Sequence, residues 1–283
     1  SLHDALPISN LRGTVGIYSC GPTVHARMHL GEARRFVFSD LLCRYLEYSG
    51  YDVNHVMNIT DIDDKTIEGS DKSGEDLKTF TEKNIAGFLE DLKHLRIKPA
   101  SVFPKASEHV DQMIALAEKI VNKGLAYEKF GSVYFDISRL PGYGRLSGVN
   151  LDKIKSGSTV DLEDYEKGNP LDFTLLKRSK LKDLKKGLSY STKWGNIVPS
   201  WHIQCPAMAM AHLSENFDIH TSGRHLLFPH HENEIAITEA ATGSLLANYW
   251  MHCGPVLFDD KEIDEDKRHL NIACLKEKGF SYR

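Results

Sequence analysis

Thr14-Val15-Gly16-Ile17-Tyr18-Ser19-Cys20, then Gly21-Pro22, then His29-Leu30-Gly31-Glu32, then Tyr51-Asp52-Val53-Asn54-His55-Val56-Met57-Asn58: these pieces decide the fold. The first is a short apolar run rich in β-branched and aromatic residues, which reads as a buried strand. Gly21-Pro22 breaks it. From His29 a helical pattern opens, with Phe36, Val37, Leu41, Leu42, Tyr45 and Leu46 at helical spacing and Gly50 where a C-terminal cap belongs. Tyr51 to Asn58 alternates like a second strand. Strand, turn, helix and strand in this order form a βαβ unit, the seed of a parallel, doubly wound α/β sheet of the Rossmann type.

Working outward, helical patterns occupy Glu75 to Leu95 and Glu108 to Lys123, the second with Ser107 as its expected N-cap and Gly124 after it. From about Ala126 to Trp194 the character changes to short strand-like pieces, Ser132 to Ile137 and Phe173 to Lys177, between loops rich in Gly, Lys and Ser. The α/β pattern then returns: helix at Trp201 to Glu215, strand at Phe217 to Thr221, helix at His230 to Thr242, extended chain at Tyr249 to Phe258. The expected organisation is a leader at 1–10 outside the fold, a catalytic α/β domain made of 11–97 and 197–262, a connective insertion at 98–196, and the start of a C-terminal helical region at 263–283. The odd start and abrupt end favour a piece of a longer protein.

Composition bounds the function. With 283 residues and a formal net charge of −4, the chain can bury a sizeable core but does not coat nucleic acid through bulk positive charge. A local basic face could still serve RNA. The lysine-rich stretch Lys177 to Lys186 reads as a solvated surface. Five scattered cysteines (Cys20, Cys43, Cys205, Cys253, Cys274) form no disulfide framework and favour reduced thiols in a cytoplasmic protein. No apolar run is long enough to span a bilayer, so no membrane partner is expected.

His29-Leu30-Gly31-Glu32 sits between a strand end and a helix start, where unpaired N–H groups and the helix dipole welcome phosphate. Gly31 would let a nucleotide approach the backbone. His230 and Glu234 lie four apart on one expected helix, so their side chains can converge on one ion. For a lone cysteine the ordinary reading is a small core hydrophobe, and Cys43, Cys253 and Cys274 keep it.

Several anchors together extend this reading. Cys20-Gly21-Pro22-Thr23-Val24, His29-Leu30-Gly31, Asn58-Ile59-Thr60-Asp61-Ile62-Asp63-Asp64-Lys65, Trp201-His202-Ile203-Gln204-Cys205 and Phe228-Pro229-His230-His231-Glu232-Asn233-Glu234 resemble, in order and approximate spacing, the signatures of cysteinyl-tRNA synthetases. The resemblance covers about residues 12 to 260. It implies a class I synthetase fold, ATP with Mg²⁺, cysteine and tRNA(Cys) as reactants, and zinc held at the positions of Cys20, Cys205, His230 and Glu234. It places Gly21, Thr23, His29, Gly31, Trp201 and His225 around nucleotide and amino acid. Zinc suits cysteine selection, because a thiol binds it as thiolate and a hydroxyl does not compete.

Three departures from that family stand out. Where its KMSKS loop belongs, this chain has Asp260-Lys261-Glu262-Ile263-Asp264-Glu265-Asp266-Lys267, so Lys261 and Lys267 are the expected stand-ins for the phosphate-binding lysines. His225 occupies the place of an aspartate that meets the substrate ammonium. The family's anticodon-binding region is not in this sequence. Two rivals to tRNA charging follow: ligation of cysteine to another amine or carrier, as in related mycothiol-pathway ligases, or a non-catalytic zinc- and nucleotide-binding homologue.

Overall fold

A computed structural model describes residues 9–11, 13–151, 169 and 171–280. Most of the expected leader and the C-terminal Arg283 therefore lie outside the described residues, as does 152–168 within the expected insertion. The chain separates into two compact units, the first comprising 1–107, 217–225 and 247–283, the second 108–216 and 226–246.

The first unit is built on the βαβ seed. Strand β1 (Thr14–Ser19), helix α1 (Leu30–Tyr48) and strand β2 (Asp52–Met57) follow one another as the sequence pattern requires. Helices α2 (Asp64–Ser73) and α3 (Leu77–His94) come next; α2 has no counterpart in the sequence reading. Its apolar pattern is sparse, and its start is fixed by Asp63, whose carboxylate accepts from Lys65 N at 2.9 Å. Strand β8 (Phe217–Gly223) pairs in parallel with β1, and β9 (Ala247–Cys253) with β8, giving the order β2-β1-β8-β9. Short strands β10 (Leu257–Phe258) and β11 (Lys261–Glu262) form a hairpin, and α8 (Ile272–Glu277) ends the described chain. Asn10, expected outside the fold, donates its N–H to Asp218 Oδ1 at 2.6 Å.

Helix α1 forms where expected, but its apolar residues divide between two faces. Ala33, Phe36, Cys43 and Leu46 are buried, whereas Val37, Leu41 and Tyr45 are 45%, 65% and 64% exposed. Residues four apart climb one stripe, and the stripe 37-41-45 points away from the sheet. Phe36 packs with Met28, Met57, Phe88 and Leu92, while Cys43 and Leu46 pack with Val15, Ile17 and Ile219. Burial pushes the Cys43 thiol up to about 12, as expected of a core cysteine.

The second unit has an antiparallel sheet of order β3-β4-β5-β7-β6. Its strands are β3 (Ala126–Lys129), β4 (Ser132–Phe135), β5 (Phe173–Arg178), β6 (Tyr190–Thr192) and β7 (Gly195–Pro199). Three of its helices, α4 (Val110–Asn122), α6 (Trp201–His212) and α7 (Glu232–Thr242), pack on one another, and a short α5 (Leu181–Lys185) follows β5. Ser107 does not cap α4, whose N-cap is His109. The Ser107 hydroxyl and N–H instead bond the buried Asp61 carboxylate at 2.5 and 2.9 Å, a charged acceptor stronger than helix N–H groups offer as donors.

Candidate functional site

Two clusters, one in each unit, collect the residues that carry chemistry. In the first unit the polypeptide turns sharply after β1. Gly21 fits because a Cβ there would stand 1.6 Å from the Asn58 carbonyl oxygen, and its N–H donates to Asn58 Oδ1 at 2.8 Å. Thr23 bridges to Thr60 in parallel register, carrying the turn back towards α1.

His29 caps α1 and is 7% exposed. Its N–H donates to Glu32 Oε2 at 3.1 Å, and its Nε2 lies 3.6 Å from the same oxygen. Gly31 is required by close approach, as read from sequence, but the approaching group is the chain's own: a Cβ would stand 2.2 Å from the Ile263 carbonyl oxygen. The N–H of Leu30 donates to Leu270 O at 2.9 Å. The segment after the acidic hairpin thus lies along the start of α1. Arg268 fixes it there, donating to Arg27 O at 2.9 Å and meeting Glu32 Oε2 at 3.6 Å.

Gly31 also lines a cavity of about 230 Å³ with Gly223, Arg224, His225, Cys253 and Glu262. Two sequence-assigned residues, Gly31 and His225, therefore share one wall space. Gly223 is needed because a Cβ would stand 2.6 Å from the His225 ring. Lys261 is exposed on β11, and the Lys267 ammonium donates to Glu262 O at 3.0 Å.

Beneath this turn lies a network that the sequence reading missed. Ser19 Oγ lies 2.8 Å from His55 Nε2 and 2.6 Å from Thr221 Oγ1, and Ser39 Oγ bonds Thr221 Oγ1 at 2.9 Å. All four residues are buried. Burial lowers the His55 imidazole to about 4, so it is neutral at ordinary pH. Cys20, 4% exposed, follows directly at the C-terminal end of β1, its N–H donating to Thr221 O at 3.2 Å.

In the second unit, α6 starts after β7 and presents Trp201, His202 and Cys205. The chain approaches α7 through a wide turn, Leu227–His231, so His230 lies just before the helix rather than on it. The sulfur of Cys205, a His230 ring nitrogen and a Glu234 carboxylate oxygen all lie within 4.8 Å of one another. His230 Nε2 stands 3.2 Å from Glu234 Oε1, with both side chains at most 1% exposed. His230 stacks on Trp201 with ring centroids 3.9 Å apart and planes 10° apart. Its Nδ1 meets His202 Nδ1 at 3.1 Å, which leaves Nε2 for the Glu234 side.

A buried thiol, imidazole and carboxylate converging in this way fit a divalent ion of the zinc type, which takes these donors and offsets the cost of burying a carboxylate. Helix α7 is itself anchored by Glu232, another residue missed in the sequence. Its carboxylate accepts from Gly144 N at 3.1 Å, Ser147 N at 2.6 Å and Ser147 Oγ at 2.8 Å. No spacing rule could reveal this contact, because the partners are more than 80 positions away.

Comparison with known proteins identifies the family. The family model for the tRNA synthetases class I (C) catalytic domain matches residues 8–276. The cysteine–tRNA ligase of Methanosarcina acetivorans is 49% identical over 94% of this chain, and that of Thermococcus onnurineus 44% identical over 94%. The chain spans about half the length of these relatives, 56% and 54% respectively. Among solved structures, Mycobacterium tuberculosis methionyl-tRNA synthetase in complex with methionyl-adenylate superposes with a TM-score of 0.70 at 11% identity, over 95% of this chain and 62% of that one. That likeness speaks for the fold. The matched model and the relatives establish that this chain belongs to the class I (C) tRNA synthetase catalytic-domain family.

Proposed function

We propose that this chain activates cysteine with ATP and passes it to tRNA(Cys), as part of a cysteine–tRNA ligase. The observation that carries the reading is the buried Cys205, His230 and Glu234 set beside Trp201, a donor group suited to selecting a thiol. Cys20, buried at the end of β1, would complete a zinc site of four protein residues. Bound there, zinc would hold a thiol as thiolate and give sulfur an advantage over the hydroxyl of serine.

In the reaction, an oxygen of the cysteine carboxylate attacks the ATP α-phosphorus, and the bond to the pyrophosphate oxygen breaks. Cysteinyl-adenylate and Mg²⁺-bound pyrophosphate result. The protein's share is positioning and charge stabilisation. His29 donates to a phosphate oxygen as negative charge shifts towards the leaving group. Lys261 and Lys267 contribute positive charge, while the N-terminus of α1 and His225 border the nucleotide and amino acid. Thr23 and Trp201 shape the side-chain pocket. The free cysteines suit a reducing compartment such as the cytoplasm.

One observation favours a second reading. Glu262, a carboxylate, borders the same cavity as Gly31 and His225, and a carboxylate opposes phosphate. A homologue that binds zinc and nucleotide without catalysis would tolerate it. Elemental analysis tests the first reading: the chain purified without added metal should hold one zinc, and Cys205→Ala should release it. Zinc absent from the wild type, or unchanged in Cys205→Ala, would remove the basis for thiol selection. Charging of tRNA, against transfer to a small amine, then identifies the acceptor.

A further inference from the structure

The cavity beside α1 carries a charge that nucleotide binding does not call for. It opens at the C-terminal ends of β8 and β9, where Gly223 pairs with Cys253 in parallel register. The start of α1 adds Gly31 to its wall, and the β10–β11 hairpin adds Glu262. Much of the lining is glycine and proline, so its polar character comes from a few side chains.

Two of these are quickly placed. Burial pushes the Cys253 thiol up, which keeps it neutral at ordinary pH. The His225 ring turns back on the strand end, where a Cβ on Gly223 would stand 2.6 Å from it. Arg224 and Glu262 remain, both exposed, one directly after Gly223 and the other on β11. Among the described residues neither side chain makes a hydrogen bond or an ion pair. The hairpin itself is held by the Lys267 ammonium, which donates to the Glu262 carbonyl oxygen at 3.0 Å.

One unspent guanidinium and one unspent carboxylate suit a ligand that carries a charge of each sign. A polyphosphate is repelled by the carboxylate, whereas an α-amino acid is a zwitterion. Size agrees. At about 230 Å³ the cavity is smaller than the roughly 300 to 1,000 Å³ of sites that enclose a drug-sized ligand.

We propose that Glu262 receives the ammonium group of the amino acid and Arg224 its carboxylate, which makes Glu262 a specificity-determining residue for activation. The assignment rests on the cysteine-activating reading and names the head-group contacts of that site. The sulfur end of the substrate agrees with it. Gly223 lies two residues beyond Thr221, whose carbonyl accepts the Cys20 N–H at 3.2 Å, so the cavity and Cys20 share one end of the sheet. Arg224 beside the carboxylate also offsets the repulsion between the attacking oxygen and the α-phosphate. The hairpin acid, out of place beside phosphate, becomes a substrate contact.

The test is calorimetric titration of the whole, zinc-loaded chain with three thiols and, separately, with ATP. Cysteine carries both head groups, cysteamine lacks the carboxylate, and mercaptopropionate lacks the ammonium. Glu262→Gln should weaken cysteine and cysteamine about fivefold, near the upper worth of an exposed ion pair, and leave mercaptopropionate unchanged. Arg224→Gln should weaken cysteine and mercaptopropionate and spare cysteamine. Glu262→Asp, which keeps the charge, should retain most of the cysteine affinity. Melting temperatures should not move, because both positions are exposed.

Cysteine bound equally by Glu262→Gln and wild type would overturn this assignment and leave the activation reading standing. Equal losses for cysteamine and mercaptopropionate in Glu262→Gln would reduce the residue to a structural part of the hairpin and overturn it too. Tighter ATP binding in Glu262→Gln with cysteine unaffected would mean that the acid only repels phosphate, which also overturns it. A zinc-loaded wild type that binds no cysteine would sink the activation reading and this assignment together.

Discussion

The parallel and antiparallel units place their polar chemistry differently. In the first unit it gathers towards the C-terminal ends of parallel strands: Ser19 ends β1, Thr221 lies two residues before the end of β8, and the turn to His29 follows. Such a location comes with the topology, since parallel strands leave a crevice where their connections diverge. In the second unit the antiparallel sheet contributes none of the donors that converge there. The donors sit instead in α6 (Cys205), in the wide turn before α7 (His230) and in the first turn of α7 (Glu234). The parallel unit offers a cavity lined by Gly31, His225 and Glu262, and the antiparallel unit brings a thiol, an imidazole and a carboxylate within 4.8 Å of one another.

If the proposed phosphate donor and the zinc donors act separately, removing the first should leave the second intact. His29→Ala should slow ATP–pyrophosphate exchange by about 10² to 10³-fold, the usual cost of a lost transition-state donor. Zinc content should not change. Loss of both together would mean the two clusters are one cooperative structure.

The next effect concerns stability. Burial lowers the His55 imidazole from 6.5 to about 4. The unfolded chain therefore takes up a proton first as pH falls. Stability conferred by keeping His55 neutral is present above pH 6.5 and is lost progressively down to about pH 4. The loss should approach roughly 3 kcal/mol. Urea denaturation across this window should show it, and His55→Gln should flatten it. An unchanged slope in His55→Gln would place the pH dependence elsewhere.

Smallest is the loop. Lys267→Ala should lower exchange about fivefold, since one surface charge near phosphate is worth ~1 kcal/mol. Zinc should stay. An unaffected rate would leave Lys267 as a local tether of Glu262, the contact it makes in the structure.

The first unit was the more legible of the two. A buried strand, a glycine break, a helix and a second strand are local patterns, and they place α1 and β2 within a residue or two. The exposed stripe Val37, Leu41 and Tyr45 could not be told from the buried one, because helical spacing identifies a stripe without saying which one meets the sheet. His230 and Glu234 were readable as a pair, being four apart. Cys205 joined them only through resemblance, because packing between α6 and α7 leaves no periodic trace. Ser19, His55 and Thr221 were invisible for the same reason: hydroxyls and an imidazole inside strands look like tolerated polar residues until the register brings them together. Glu232 and Phe130 are opposite cases. The first is an ordinary helix residue made important by a distant loop. The second, at φ 52° in the turn between β3 and β4, breaks a preference for asparagine or glycine that only the backbone geometry reveals.

Cysteine activation is tested most directly by ATP–pyrophosphate exchange with the purified chain, cysteine and serine being supplied separately. Exchange should depend on cysteine, with serine supporting it poorly or not at all. It should disappear in Cys205→Ala. Exchange driven equally by serine, or none with cysteine in a chain that carries its zinc, would contradict the assignment of thiol activation to this protein.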